Sequence, residues 1–389
     1  MKKSWMLMVG LMLVIVLVGC APADELPAPI VGGSVSGSLD KQEAREQLPF
    51  EVPVAQPGDP VGIDFRGVLV KGTLQVRMVD AAGMPVYEET FETPGPFRMN
   101  TVVTPPEAGT YRLGMAWDGP VQATSYALVW KPGAVEIPKV PPSALLAGAG
   151  MVLVALGFVL YAATHKLGWS YLGWGALAWV VTVALKFAWA VPVNPVLYDA
   201  LLGALPEPVA MPIFYVYVGA LTGIFEVGLT WLVLRHTKLG RAVWEKALAF
   251  GIGFGAVEAF LLGLASLAGV ITAMAIPDQL PLSTLEQIAA AGNVLMGLAP
   301  IAERFFTCLV HILSNLLLFY GVASRQSKWF WAAFAYKTLI DAVAAFAQFW
   351  GVDVLWHLWL IEAVVVIWGL IGWWGIRRLR ERYPAAEAE

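Results

Sequence analysis

Two kinds of apolar periodicity divide the chain. In its first third, large apolar residues recur at every second position: Leu74, Val76 and Met78 alternate with Gln75 and Arg77, Tyr111, Leu113, Met115 and Trp117 form a second set, and Tyr126, Leu128 and Trp130 a third. A period of two places each set on one face of a strand. Turn-forming runs separate the sets, at Asp80 to Pro85, Pro94 to Pro96, Pro105 to Gly109 and Asp118-Gly119-Pro120, with the spacing of a small antiparallel sandwich. From Ser143 onward the alternation gives way to long apolar runs, which predict helices over 143–163, 169–190, 211–235, 246–273, 298–321, 329–350 and 355–376. Each is long enough to cross a hydrocarbon core about 30 Å thick. The pattern predicts a multi-pass α-helical membrane bundle of about seven transmembrane helices over 143–376, preceded by an antiparallel β-sandwich over 47–135.

The first nineteen residues add a leader to this plan. Lys2 and Lys3 supply a positive start, Trp5 to Val18 an apolar stretch and Gly19 a small residue, which together read as an export signal over 1–19. The stretch ends in Leu17-Val18-Gly19-Cys20, which resembles the lipobox of bacterial lipoproteins and implies lipidation of Cys20; the alternative is an uncleaved signal anchor. Either places the β domain outside the cytoplasm. Residues 20–46, rich in Ala, Pro, Gly, Ser and charge, have the composition of a flexible tether. The second cysteine, Cys308, falls inside an apolar run, so no disulfide framework is available to the β domain.

Loop charge tests the helix assignment. With the β domain outside, the loops near 165, 235–246 and 321–328 and the basic tail 377–389 face the cytoplasm, and they carry Lys166, Arg235, Lys238, Arg241, Lys246, Arg325, Lys328, Arg377, Arg378, Arg380 and Arg382. The loops near 191–210, 274–297 and 350–355 carry no Lys or Arg. That asymmetry is the positive-inside pattern of a multi-pass protein of the cell membrane with its C-terminus in the cytoplasm. Trp329, Trp331, Trp350, Trp356, Trp373 and Trp374 sit near helix ends, as interfacial anchors do. The chain is 58% hydrophobic and 14% charged, with a net charge of −4, which excludes a nucleic-acid partner and points to membrane lipid as its surroundings.

Against this apolar background, ionisable residues inside the helices are costly and mark either a working site or a structural polar cluster. They are Lys186, Glu226, Glu258, Glu303, Arg304, His311, Lys337, Asp341 and Glu362. At 1.5 Å per residue from the nearest cytoplasmic Lys or Arg, Glu226 and Lys337 lie roughly 14 Å deep, Glu258 about 18 Å, Asp341 about 20 Å and His311 about 21 Å. Four helices therefore place five ionisable groups in one layer. Lys186, Glu303 and Arg304, about 30 Å from the same face, form an outer polar layer with the character of a salt-bridge latch. Gly251, Gly253 and Gly255, just before Glu258, allow close approach of a neighbouring backbone. Their spacing is no dinucleotide fingerprint, since no strand precedes them.

Gly223-Ile224-Phe225-Glu226, the run GIGFGAVEAF ending at Phe260, Glu303-Arg304 followed by His311, and Lys337-x-x-x-Asp341 together resemble the YhfC family of intramembrane metalloproteases, distant relatives of the CAAX prenyl-protease group. The resemblance covers the helices only. It implies hydrolysis of peptide bonds in membrane-protein or peptide substrates by metal-activated water, with zinc as the metal, Glu226 as the catalytic base and Glu258, His311 and Asp341 as metal ligands. The chain departs from the family pattern at four places. Val227 stands for a second Glu, Thr230 for an Arg, Phe254 for a His, and Lys337 for the His of the last motif. An ammonium at 337 can neutralise neighbouring carboxylates without any metal. The alternative reading is a non-catalytic pseudoprotease that binds a membrane partner or acts as a sensor. A transporter fits less well, because the helices show no internal repeat.

Overall fold

The computed structural model describes residues 33–41, 43–352 and 354–383. The expected signal segment and Cys20 lie outside the described residues. The chain divides into two compact units, one built from Leu145–Leu267 with the residues from Val294 onward, the other from the β domain up to Ala144 with Ala268–Asn293.

The β unit contains eight strands: β1 Gly33–Lys41, β2 Arg45–Val54, β3 Val61–Lys71, β4 Leu74–Val79, β5 Pro85–Phe91, β6 Gly95–Val103, β7 Gly109–Trp117 and β8 Val121–Pro132. They form two four-stranded antiparallel sheets, ordered β1-β8-β3-β6 and β2-β7-β4-β5. The alternation seen in the sequence supplies the core, since Leu74, Val76, Met78, Leu113, Trp117 and Leu128 are all buried. Phe65, Phe91 and Phe97 close it as a ring cluster with centroids 4.7 to 5.6 Å apart. Residues 33–41, assigned to a tether by composition, are a strand that pairs with β8 from Gly33↔Trp130 to Lys41↔Val121. This edge strand buries Leu39 alone, so its apolar signal is too thin to show as a period.

Strand β3 is buried along most of its length, with Ile63 and Phe65 turned into the sandwich. Asp64 and Arg66 point the other way and are equally buried, their side chains paired at 2.5 Å. Asn100 Nδ2 donates to Asp64 Oδ2 and to the Val135 carbonyl, at 3.1 and 2.8 Å. Arg66 Nη1 donates to the carbonyls of Pro277 and Leu280, each at 3.1 Å, so the segment after the fourth long helix is covered by β3. The alternation Ile-Asp-Phe-Arg reads as a half-exposed strand; only the long-range cover makes both faces internal.

The helical unit comprises α1 Leu145–Thr164, α2 Trp169–Ala204, α3 Glu207–Thr222, α4 Thr230–His236, most of α5 Trp244–Ala275, α7 Val294–Ala323, α8 Lys328–Trp350 and α9 Leu355–Arg380. The short α6, Leu282–Ala290, lies in the β unit. A seven-residue π-helical stretch, Gly223–Leu229, joins α3 to α4 into one continuous span. Seven helices among the described residues are long and apolar enough to cross a membrane. The second runs 36 residues, past Pro192 and Pro195, where a loop was expected. A proline removes one hydrogen bond and bends a helix without ending it, and Val191, Val193, Val196 and Leu197 sustain the apolar run.

Helix α7 is the centre of this unit, buried almost all round from Cys308 to Phe319, as expected for a helix enclosed by others. Helix α5 is set by the glycines noted in the sequence. A Cβ at Gly253 would lie 1.9 Å from the Leu172 carbonyl oxygen on α2, and one at Gly255 would lie 3.0 Å from Cys308 Cα on α7. The bare positions therefore seat α5 against two neighbours at once.

The Asp64–Arg66 pair yields a first prediction. Asp64→Ala should lower stability by about 3–5 kcal/mol, because it leaves a buried guanidinium uncompensated. The double variant Asp64→Leu/Arg66→Met should recover most of that loss. Pulse proteolysis of the full chain in urea measures both; equal loss in the single and double variants would contradict the pairing.

Candidate functional site

Five helices and the π-helical stretch line one cavity of about 440 Å³, and every ionisable residue singled out within the helices borders it. Lys186 comes from α2, Glu226 from the π stretch, Glu258 from α5, Glu303, Arg304 and His311 from α7, Lys337 and Asp341 from α8, and Glu362 from α9. The inner and outer layers of the sequence reading are thus parts of one network. Depth along the axis separated them, but lysine and arginine stems reach several ångströms from their backbone.

Glu226 is 4% exposed and held from both sides. Lys186 Nζ donates to Oε1 at 2.7 Å, and Lys337 Nζ lies 3.2 Å from Oε2. The π-helical turn carries it: the wide turn shifts the following face by one residue and is a recurrent feature of functional sites. Lys337 Nζ also lies 3.4 Å from His311 Nδ1. On the other side of the ring, His311 Nε2 meets Glu258 Oε2 at 2.8 Å. Trp179 Nε1 donates to the same oxygen at 2.8 Å, and Arg304 pairs with Glu258 and with Glu303. Lys186 Nζ reaches the Thr222 hydroxyl at 3.3 Å, and that hydroxyl donates to Asp341. The result is a chain of contacts from Arg304 through Glu258, His311, Lys337, Glu226, Lys186 and Thr222 to Asp341.

The donor set does not fit a metal ion. A carboxylate only accepts, so His311 Nε2 carries the proton shared with Glu258, and Nδ1 faces an ammonium that repels a second cation. Both oxygens of Glu226 face ammonium groups, Oε1 accepting from Lys186 and Oε2 lying within ion-pair distance of Lys337, so its charge is already compensated. No cluster of three or more His, Cys, Asp or Glu with ligating geometry occurs among the described residues. Zinc sites draw mainly on imidazole and thiolate. Here one imidazole is engaged, and Cys308 is packed with Ala155, Ala256 and Ala259.

Three features escaped the sequence reading. Lys337 pairs with Glu226 and touches His311, contacts that its place in the chain does not reveal. Trp179 and Thr222 complete the network, and Thr222 was findable, being four residues before Glu226 on the same helical face. Glu362 is buried and borders the cavity, yet its Oε2 has no hydrogen-bond partner among the described residues. Phe254, where the family pattern has His, packs against the His311 ring with centroids 5.1 Å apart. An apolar ring there holds the imidazole but cannot ligate.

A family model described as YhfC intramembrane metalloprotease matches residues 150–365, more than half of the chain. A protein of Bacillus subtilis (strain 168) named "Uncharacterized membrane protein YhfC" is 28% identical over 179 residues, 41% of this chain and 67% of its own length. The family match falls in the helical part.

Removing the central ammonium tests the network. Lys337→Met should cost about 3 kcal/mol, the low end for one side of a buried pair, because Lys186 still holds Glu226. Adding Glu226→Gln should restore much of the loss, read as thermal unfolding of the purified protein in detergent. Additive losses in the double variant would contradict direct pairing.

Proposed function

The chain belongs to the YhfC intramembrane metalloprotease family, and from that premise we propose that it is a metal-independent relative whose cavity receives a membrane-embedded segment of a protein partner without cleaving it. The observation that carries this reading is Lys337, whose ammonium stands 3.2 Å from Glu226 and 3.4 Å from His311. A fixed cation supplies the charge compensation that a metal supplies elsewhere in such a family, and it cannot activate water. Among the described residues Glu226 Oε2 and Glu362 Oε2 are the cavity's buried carboxylate oxygens without a hydrogen-bond partner, and Glu362, which forms no ion pair among them, is able to take a hydrogen bond from a polar group on an incoming helix.

A second reading keeps the family's chemistry, with zinc held by Glu258, His311 and Asp341 and Glu226 as base. It is favoured by all four residues bordering one cavity. It requires Lys337 to leave its place between Glu226 and His311.

For orientation we take the β domain to lie outside and the basic end of α9 in the cytoplasm, with Cys20 lipidated, on the strength of the loop charges and the lipobox. A cysteine introduced in a β4–β5 turn should react with a membrane-impermeant maleimide in intact cells. Labelling only after lysis would reverse the orientation.

Metal analysis separates the two functional readings. The purified protein is expected to hold well under one zinc per chain after dialysis, and His311→Ala should leave that content unchanged. The variant Phe254→His/Lys337→His, which restores two family imidazoles, should gain zinc. Stoichiometric zinc in the native protein, lost in His311→Ala together with cleavage of a membrane-embedded reporter, would establish the second reading instead.

A further inference from the structure

A larger cavity, of about 820 Å³, opens on another face of α7 and shares no residue with the charged one. Its walls are carbon: Val154 and Phe158 of α1, Leu248 and Ile252 of α5, Phe305 and Leu309 of α7. At one end it is bounded by Trp373, Arg377 and Arg380 of α9. From Leu370, which lines its apolar part, to Arg380 is ten residues of helix, about 15 Å. That is half of a hydrocarbon core about 30 Å thick, the depth of one leaflet.

Nothing among the described residues neutralises the whole of the basic end. Among the described residues neither Arg377 nor Arg380 has a carboxylate partner, while the intervening Arg378 has Glu381 at 3.7 Å. The Arg377 guanidinium lies 5.2 Å from the centre of the Trp373 ring, which holds it at the edge of the groove. An acyl chain alone would fill the apolar part and leave two guanidiniums unpaired. A phosphodiester attached to that chain supplies acceptors that match the guanidinium fork, and basic pockets between transmembrane helices on the cytoplasmic side suit anionic headgroups.

We propose that this groove is a specific site for an anionic phospholipid, with one acyl chain lying between α1, α5, α7 and α9 and the headgroup phosphate between Arg377 and Arg380. The site is independent of the function proposed for the charged cavity. The occupant is a lipid of one leaflet, since the apolar part ends at half the core's thickness and the charge sits where headgroups begin.

Native mass spectrometry of the full protein, released from detergent after exchange with phosphatidylglycerol or phosphatidylcholine, tests this directly. One phosphatidylglycerol per chain should survive activation, and phosphatidylcholine, which carries the same phosphate but adds a choline cation facing the two guanidiniums, should be lost at least about tenfold more readily, the scale of one like-charge contact in partly screened surroundings. Arg377→Ala/Arg380→Ala should abolish that preference, and Arg378→Ala should keep it. Leu309→Trp, which narrows the groove and leaves the arginines in place, should reduce retention of both lipids, and it serves if the double arginine variant does not fold. Equal retention of the two lipids by the native protein would overturn the proposal. So would a preference that survives loss of Arg377 and Arg380, or that Arg378→Ala removes equally.

Discussion

A charged group inside an apolar helical bundle must find an opposite charge or a dipole within a few ångströms, and in this protein Lys337 is the group around which that requirement is met. Its ammonium sits between Glu226 and the imidazole of His311. Each neighbour then needs its own partner, which brings in Lys186 on one side and Glu258 on the other. Glu258 recruits Arg304, which also holds Glu303. Helices α2, α5, α7 and α8 are thereby tied to one another through side chains that could not face lipid without a cost of a few kcal/mol each. The glycines of α5 make the arrangement possible by letting α2 and α7 approach closely enough for these contacts.

The same requirement explains why membership of a metalloprotease family and a poor metal site can coexist. A divalent ion and an ammonium solve the same electrostatic problem, the neutralisation of clustered carboxylates. They differ in what they leave available. A metal holds an open coordination position for water, whereas Lys337 only compensates the charge it faces. Glu226, Glu258, His311 and Asp341 all border the cavity, and each is paired there.

The helices, the two apolar periods and the set of buried ionisable residues were legible in the sequence, because hydropathy over twenty residues and alternation over six are strong local signals. Leu74, Val76 and Met78 announced their strand, and Gly253 and Gly255 announced a close contact. What could not be read was non-local. Asp64 and Arg66 look like the solvent side of a strand until residues 277–280 are laid over them. Strand β1 hides in a polar segment, since an edge strand with one buried residue has no period to detect. The partners of Lys186 and Lys337 depended on helix rotation and side-chain reach, neither of which depth along an axis can supply.

The π-helical turn at Gly223–Leu229 has a consequence for how such a site can be lost. An α-helix advances about 100° per residue, so a wide turn amounts to one residue accommodated without resetting the whole span. Removing a single residue of this stretch other than Glu226 would let the backbone relax into an unbroken α-helix while rotating Glu226 relative to part of the span by about a quarter turn, away from its ammonium partners. Substitutions erode a charge network one member at a time; a one-codon deletion here would turn its carboxylate out in a single step and leave the hydropathy of the helix almost unaltered.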